Sequence, residues 1–129
     1  MSHRRIQDEH GQTMVEFAIV VPLLLVIVFG IFQFGAVYND YVTLTDATRV
    51  AARKAAVSRH SASPEADAEE ALRNSAVGLE QDDLAVVVAG TWEHGEDVTV
   101  EAKYPYEIDL LGLVVASGQL ESTTTERVE

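Results

Sequence analysis

A chain of 129 residues and 14.1 kDa has room for one modest domain, and it is too apolar and too thinly charged to stay disordered. Nine Lys and Arg against 21 Asp and Glu leave a formal charge of -12, which excludes a surface built to grip nucleic-acid phosphates. The absence of cysteine excludes a disulfide framework, a thiolate zinc site and a cysteine nucleophile.

The apolar residues are unevenly spread. From Phe17 to Tyr38 there is no charged side chain, and Gln33 is the one strongly polar residue. At about 1.5 Å per helical residue this run matches the ~30 Å of a bilayer core, so it predicts a membrane-spanning helix over residues 17–38. The run is longer than a cleavable secretory core and passes through Phe29, Ile31, Phe32 and Phe34 into further helical sequence, which predicts retention. Arg4 and Arg5 precede it, and the next basic residue is Arg49. The positive-inside bias therefore predicts a cytoplasmic N-terminus and an exported C-terminal part. Pro22 removes one helical hydrogen bond within the span and is expected to kink or loosen it.

Glu16 stands directly against Phe17. A carboxylate entering hydrocarbon costs on the order of 2.5 to 3.5 kcal/mol and must snorkel, be protonated or find a cation. By itself it reads as a boundary marker, but its neighbours suggest more. Gly11-Gln12-Thr13-Met14-Val15-Glu16-Phe17 resembles the processing site of type IV pilin precursors, with a Gly before the cut and a Glu fifth after it. The longer stretch GQTMVEFAIVVPLLL, Gly11 to Leu25, is similar to TadE-like proteins of Tad pilus systems.

The resemblance implies cleavage between Gly11 and Gln12 by a prepilin peptidase, with loss of a leader at residues 1–11. It also implies partnership with other pilin subunits, an inner-membrane platform protein and an assembly ATPase, and a small strand-containing domain after the helix. The assembly positions it implies are Glu16, Phe17 and Pro22. Cleavage creates an α-amino group at Gln12, and Glu16 of one subunit can neutralise that of a neighbour, so that two costly charges share one apolar environment.

Beyond Tyr38 neither Gly nor Pro occurs until Pro64, and Val42, Ala47, Val50, Ala51, Ala55 and Val57 recur at three- and four-residue intervals. One long helix is therefore expected over residues 12–60, continuous from the span. The cations Arg49, Arg53, Lys54 and Arg59 form either a solvated face or a contact for acidic groups of another subunit. Residues 61–129 are expected to form a small exported α+β domain. Ser63-Pro64-Glu65 predicts a capped helix start, and the helix is expected from Pro64 to Val77, ended by Gly78. Ala68, Ala71, Leu72, Ala76 and Val77 would supply its apolar contacts.

Leu84 to Ala89 and Asp97 to Tyr104 predict a hairpin turning at Glu93-His94-Gly95-Glu96. Val98, Val100, Ala102 and Tyr104 alternate with Thr99, Glu101 and Lys103, so the apolar set shares one face. Gly118 to Val128 predicts a third strand of an antiparallel sheet, while Ile108 to Val115 reads as a short helix or a buried loop. The fold class is thus α+β, with a long membrane helix before a small domain of one short helix and about three strands.

His3, His10, His60 and His94 lack metal-site spacing, and Glu80, Asp82, Asp83, Glu96 and Asp97 lack an EF-hand pattern. No GxSxG, phosphate loop or dinucleotide fingerprint occurs, so neither an enzyme nor a cofactor is expected. Trp92 reads as a cover for the edge of a small core. The reading that follows is a pilin-like subunit or minor pseudopilin lodged in membrane lipid or in a fibre. Its rival is an uncleaved single-pass envelope protein whose acidic exported domain binds a ligand or partner.

Overall fold

The computed structural model describes residues 4–129, with side chains from residue 11 onward. A helix, α1 (Arg4–Val57), runs without interruption through the apolar span and on into the C-terminal domain. It is followed by α2 (Pro64–Ser75) and three strands, β1 (Ala85–Ala89), β2 (Asp97–Leu110) and β3 (Leu113–Arg127). The strands form one antiparallel sheet in sequential order, so the fold is α+β.

The C-terminal third of α1 is where the core sits. Leu44, Ala47, Thr48, Ala51, Ala52, Ala55 and Ala56 turn one stripe inward, and all are buried. Five alanines in that stripe let other elements approach the helix closely, because a methyl group is the only side chain between backbones. Leu72 and Ala76 at the α2 end, with Val100 and Ala102 from β2, close over Leu44, Ala47 and Ala51. A second cluster joins Ala55, Ala56 and Ala68 to Val98 and Val128. The predicted alternation on β2 holds: Val98, Val100 and Ala102 are buried, and Tyr104 packs partly against the same core.

Local choices explain where elements begin and end. Ser63 precedes α2, but its side chain makes no cap. Its backbone N–H instead donates to Ser61 Oγ at 3.3 Å, and the Ser61 hydroxyl donates to Asp67 in the first turn. The helix stops at Ser75, two residues short of the expected Val77, which is 80% exposed and makes no core contact. Gly78, at φ +90°, follows in the left-handed region that a side chain resists. The close approach at Gly90 has another cause: a Cβ there would lie 2.9 Å from Val98 Cγ2.

The main departure from expectation is residues 108–115, which form neither a helix nor a buried loop. β2 continues to Leu110, β3 starts at Leu113, and Leu111-Gly112 is a two-residue turn with φ of 57° and 85°. Positive φ at both positions is the turn whose twist suits a hairpin. Asn or Asp normally announces it at the first position, and Leu111 gives no such signal. Asp109 Oδ1 accepts the Gly112 N–H at 2.8 Å and so ties the turn. The third strand therefore begins five residues before the expected Gly118. β1 pairs with β2 only as far as Lys103, so residues 105–119 project as a two-stranded ribbon beyond the three-stranded sheet. Pro105, which has no N–H to offer a further neighbour, stands where that free edge begins.

Candidate processing and assembly segment

Gly11, Gln12, Glu16, Phe17 and Pro22 all lie on α1 and all are exposed. The Gly11–Gln12 peptide bond is inside helix, not in an extended segment. Gly11 has no positive φ, and a Cβ placed on it would meet nothing within 4 Å, so nothing in the fold of this chain requires glycine there. Gln12 Nε2 donates to Glu16 Oε1 at 3.1 Å, a partnership one helical turn apart that the sequence does not announce. The i,i+4 spacing is visible in the sequence, but two exposed polar side chains so spaced need not bond. Of the expected leader, residues 1–3 lie outside the described residues, as do the side chains of 4–10, including His10.

From Phe17 onward the helix is apolar on every side. Leu23, Leu24, Leu25, Val26 and Ile27 are consecutive and all exposed, so no single face is kept for a core. Gly11–Val57 contains a stretch long and apolar enough to cross a membrane, and none of that stretch is covered by the rest of the chain. The helix passes through Pro22 without losing helical conformation, although the proline removes one rung of the ladder. Phe34 and Tyr38 stack one turn apart, with ring centroids at 6.5 Å, near the end of the apolar run.

Three of the four cations, Arg49, Arg53 and Lys54, border one groove, and Arg59 lies beyond the end of α1. Arg49 Nη1 lies 3.5 Å from Asp46 Oδ1 on the outward face, where Arg49, Val50, Arg53 and Val57 border a shallow open groove. Lys54 borders both this groove and a second one lined by Asp67 and Glu70 of α2, and Arg59 donates to His60 Nε2 at 3.2 Å. Among the described residues, no three His, Asp or Glu side chains gather in a metal-holding group. His94 and Glu93 are exposed in the turn before β2, and Asp97 faces Arg127 across the sheet at 3.7 Å. Trp92 packs partly against the Val98 and Val128 cluster, as a cover for the core edge should.

The geometry defines a class: a protein anchored through a long apolar helix whose far end is built into a small α+β domain. Residues 11–53 match the family described as TadE-like protein. The resemblance drawn from Gly11 to Leu25 thus extends over the span and on to Arg53, one third of the chain. The match takes in Gly11, Gln12, Glu16, Phe17 and Pro22, and it ends before α2 and the sheet begin. No curated protein and no solved structure matches the chain.

Proposed function

We propose that this chain is a pilin-like structural subunit or minor pseudopilin of a Tad pilus, processed by prepilin peptidase between Gly11 and Gln12. The observation that carries the reading is the TadE-like segment: a glycine the fold does not need, a carboxylate five residues further on, and an apolar helix uncovered on all sides. A helix of that kind requires either lipid or the helices of other subunits around it. In the membrane it is held by lipid with its N-terminus cytoplasmic and its C-terminal domain exported. On assembly it moves into contact with other pilins, driven by the platform protein and the ATPase.

Cleavage inside a helix requires local unwinding, and Gly11 lowers the cost of leaving the helical conformation. Once the leader is gone, Gln12 carries the new amine. The carboxylate of Glu16 then has two partners open to it: the Gln12 amide of its own chain, or the amine of a neighbouring subunit. The test is peptide analysis of the N-terminus in membranes and in sheared surface fibres, with and without active peptidase. A chain beginning at Gln12 in fibres supports the subunit role, and the same chain in membranes alone supports an assembly role. A chain that keeps residues 1–11 in the presence of active peptidase overturns the proposal in favour of the anchored binding protein.

A further inference from the structure

The ribbon that projects beyond the sheet gathers exposed large apolar side chains at its end. Leu111 and Leu113 at its tip are 74% and 71% exposed, and Val114 and Val115 follow with more than half of their surface open. Leu113 and Val114 lie on opposite sides of the strand, and Val115 is the extra residue at the register shift opposite Ile108 and Asp109, so the tip is apolar on both faces. A single protein surface laid against the ribbon would cover one face and leave the other in water. The turn also holds Leu111 at φ 57°, a conformation that favours Asn or Gly. A large apolar side chain is thus displayed at the apex in spite of backbone strain.

Two contacts fix how β3 crosses α1. The Glu129 N–H donates to the Ala56 carbonyl at 3.1 Å, and Ser122 Oγ meets Thr48 Oγ1 at 2.9 Å. Between these points the strand covers about 23 Å of its own length, while the helix advances about 12 Å. The strand therefore descends towards the membrane end of α1 by roughly half its length. Continued along the same line from Ser122 to Leu113, the strand would cover a further ~30 Å and descend ~15 Å, about ten helical residues, which would bring the tip to about the level of Tyr38. That is where the apolar run of the helix ends.

We propose that the Leu110–Val115 hairpin tip inserts into the lipid interface beside the span, giving the unassembled protein a second, shallow membrane contact. The proposal rests on the reading of α1 as a membrane span. Immersion covers both faces of the tip at once. It is also limited in depth, because both edges of the ribbon carry unpaired backbone groups that hydrocarbon does not tolerate. Side chains enter the acyl boundary while the backbone stays among the headgroups, a depth of about 5–10 Å. Glu107 and Asp109 stay at the headgroup side, with Asp109 already engaged by the turn.

Because the chain has no cysteine, single cysteines can report depth without ambiguity. The full chain is placed in phosphatidylcholine vesicles with an environment-sensitive fluorophore at Leu113→Cys, at His94→Cys near the opposite end of the sheet, or at Phe32→Cys within the span. Doxyl lipids quench from the membrane and iodide quenches from water. The expected result is quenching of the Leu113 probe by shallow doxyl groups on the order of threefold stronger than that of the His94 probe, with matching protection from iodide. Equal iodide access at the two sites overturns the proposal. Protection that disappears when the protein is diluted in lipid also overturns it, in favour of a second copy covering the tip. The Phe32 probe separates the two readings, since failure of deep doxyl groups to quench it refutes the span itself.

Discussion

Thr48 Oγ1 of α1 and Ser122 Oγ of β3 meet at 2.9 Å in the buried seam between helix and sheet. The Thr48 hydroxyl donates its one proton to the Thr45 carbonyl at 2.8 Å, so Ser122 must be the donor between them. Thr124 donates to the same oxygen at 3.3 Å. One helical hydroxyl thus receives two strand hydroxyls and fixes the register of β3 against α1. Thr48→Val keeps the shape but leaves the buried Ser122 hydroxyl without its acceptor. The expected loss is about 1–3 kcal/mol, read by urea unfolding of the full chain in detergent through its single tryptophan, Trp92. Adding Ser122→Ala should recover most of that loss.

The alanine stripe of α1 predicts a different kind of sensitivity. Ala51 is wholly buried where the helix meets α2 and β2, and no larger side chain fits without moving one of them. Ala51→Leu should destabilise the domain by about 1–3 kcal/mol although it adds apolar surface. Val50→Leu, one residue away on the open face, should change stability little in the same unfolding measurement.

Glu16→Ala should leave the amount of protein in membranes unchanged and reduce the amount in fibres. An unpaired amine at Gln12 within an apolar assembly costs several kcal/mol, so the reduction should be on the order of tenfold or more. Immunoblots of membrane and sheared-fibre fractions check this, and equal recovery in fibres removes the pairing role of Glu16.

Leu111→Asn places in the turn a residue suited to its positive φ. It should stabilise the folded domain by about 0.5–1 kcal/mol in detergent. In vesicles the same variant should weaken tip insertion, so stability and membrane contact are expected to move in opposite directions. The doxyl quenching of a Leu113 probe reads the second effect.

On the outer face of the sheet, Lys103 Nζ lies 2.9 Å from Glu101 Oε1 and 3.9 Å from Glu121, its cross-strand partner. The hydrogen bond and charge of Lys103 hold the Glu101 carboxyl below its ordinary value, and Glu101 raises the Lys103 ammonium above its own. The depressed Glu101 contributes above its unfolded pKa and loses that contribution as pH falls through its folded pKa. The raised Lys103 contributes fully below its unfolded pKa and loses this as pH rises through its folded one. The stability gap between the native chain and Lys103→Gln should therefore be level through neutral pH, and close below the carboxylate range and above the lysine range. The groups are exposed, so the gap should be small and should shrink with salt.

The sequence announced the long apolar helix because it depends on local composition: an uncharged run needs no partner to be recognised. The long helix and the inward face of β2 were legible for the same reason, through their three-to-four and two-residue periods. The distal hairpin was not. Leu110-Leu111-Gly112-Leu113 holds one glycine and no Asn or Asp, and strand pairing over more than ten residues imposes a turn that its own residues do not favour. Ser63 misled in the opposite direction, for a good capping residue was present but Ser61 supplied the contact. The Gln12 to Glu16 bond and the seam at Thr48 depend on how side chains meet, which residue types alone do not specify.

The helix that anchors this protein is also the wall of its folded domain, since Leu44 to Ala56 are at once the continuation of the span and the centre of both core clusters. There is no hinge residue or linker between Tyr38 and Leu44 to absorb a displacement. Axial force applied to the anchor is thus delivered straight to the sheet, and a twist of the anchor about its axis swings the ribbon through the same angle. Under the two proposals made above, a subunit drawn upward by one step would carry its apolar tip clear of the lipid in the same stroke, so that extraction and exposure of that tip to incoming neighbours would be a single event.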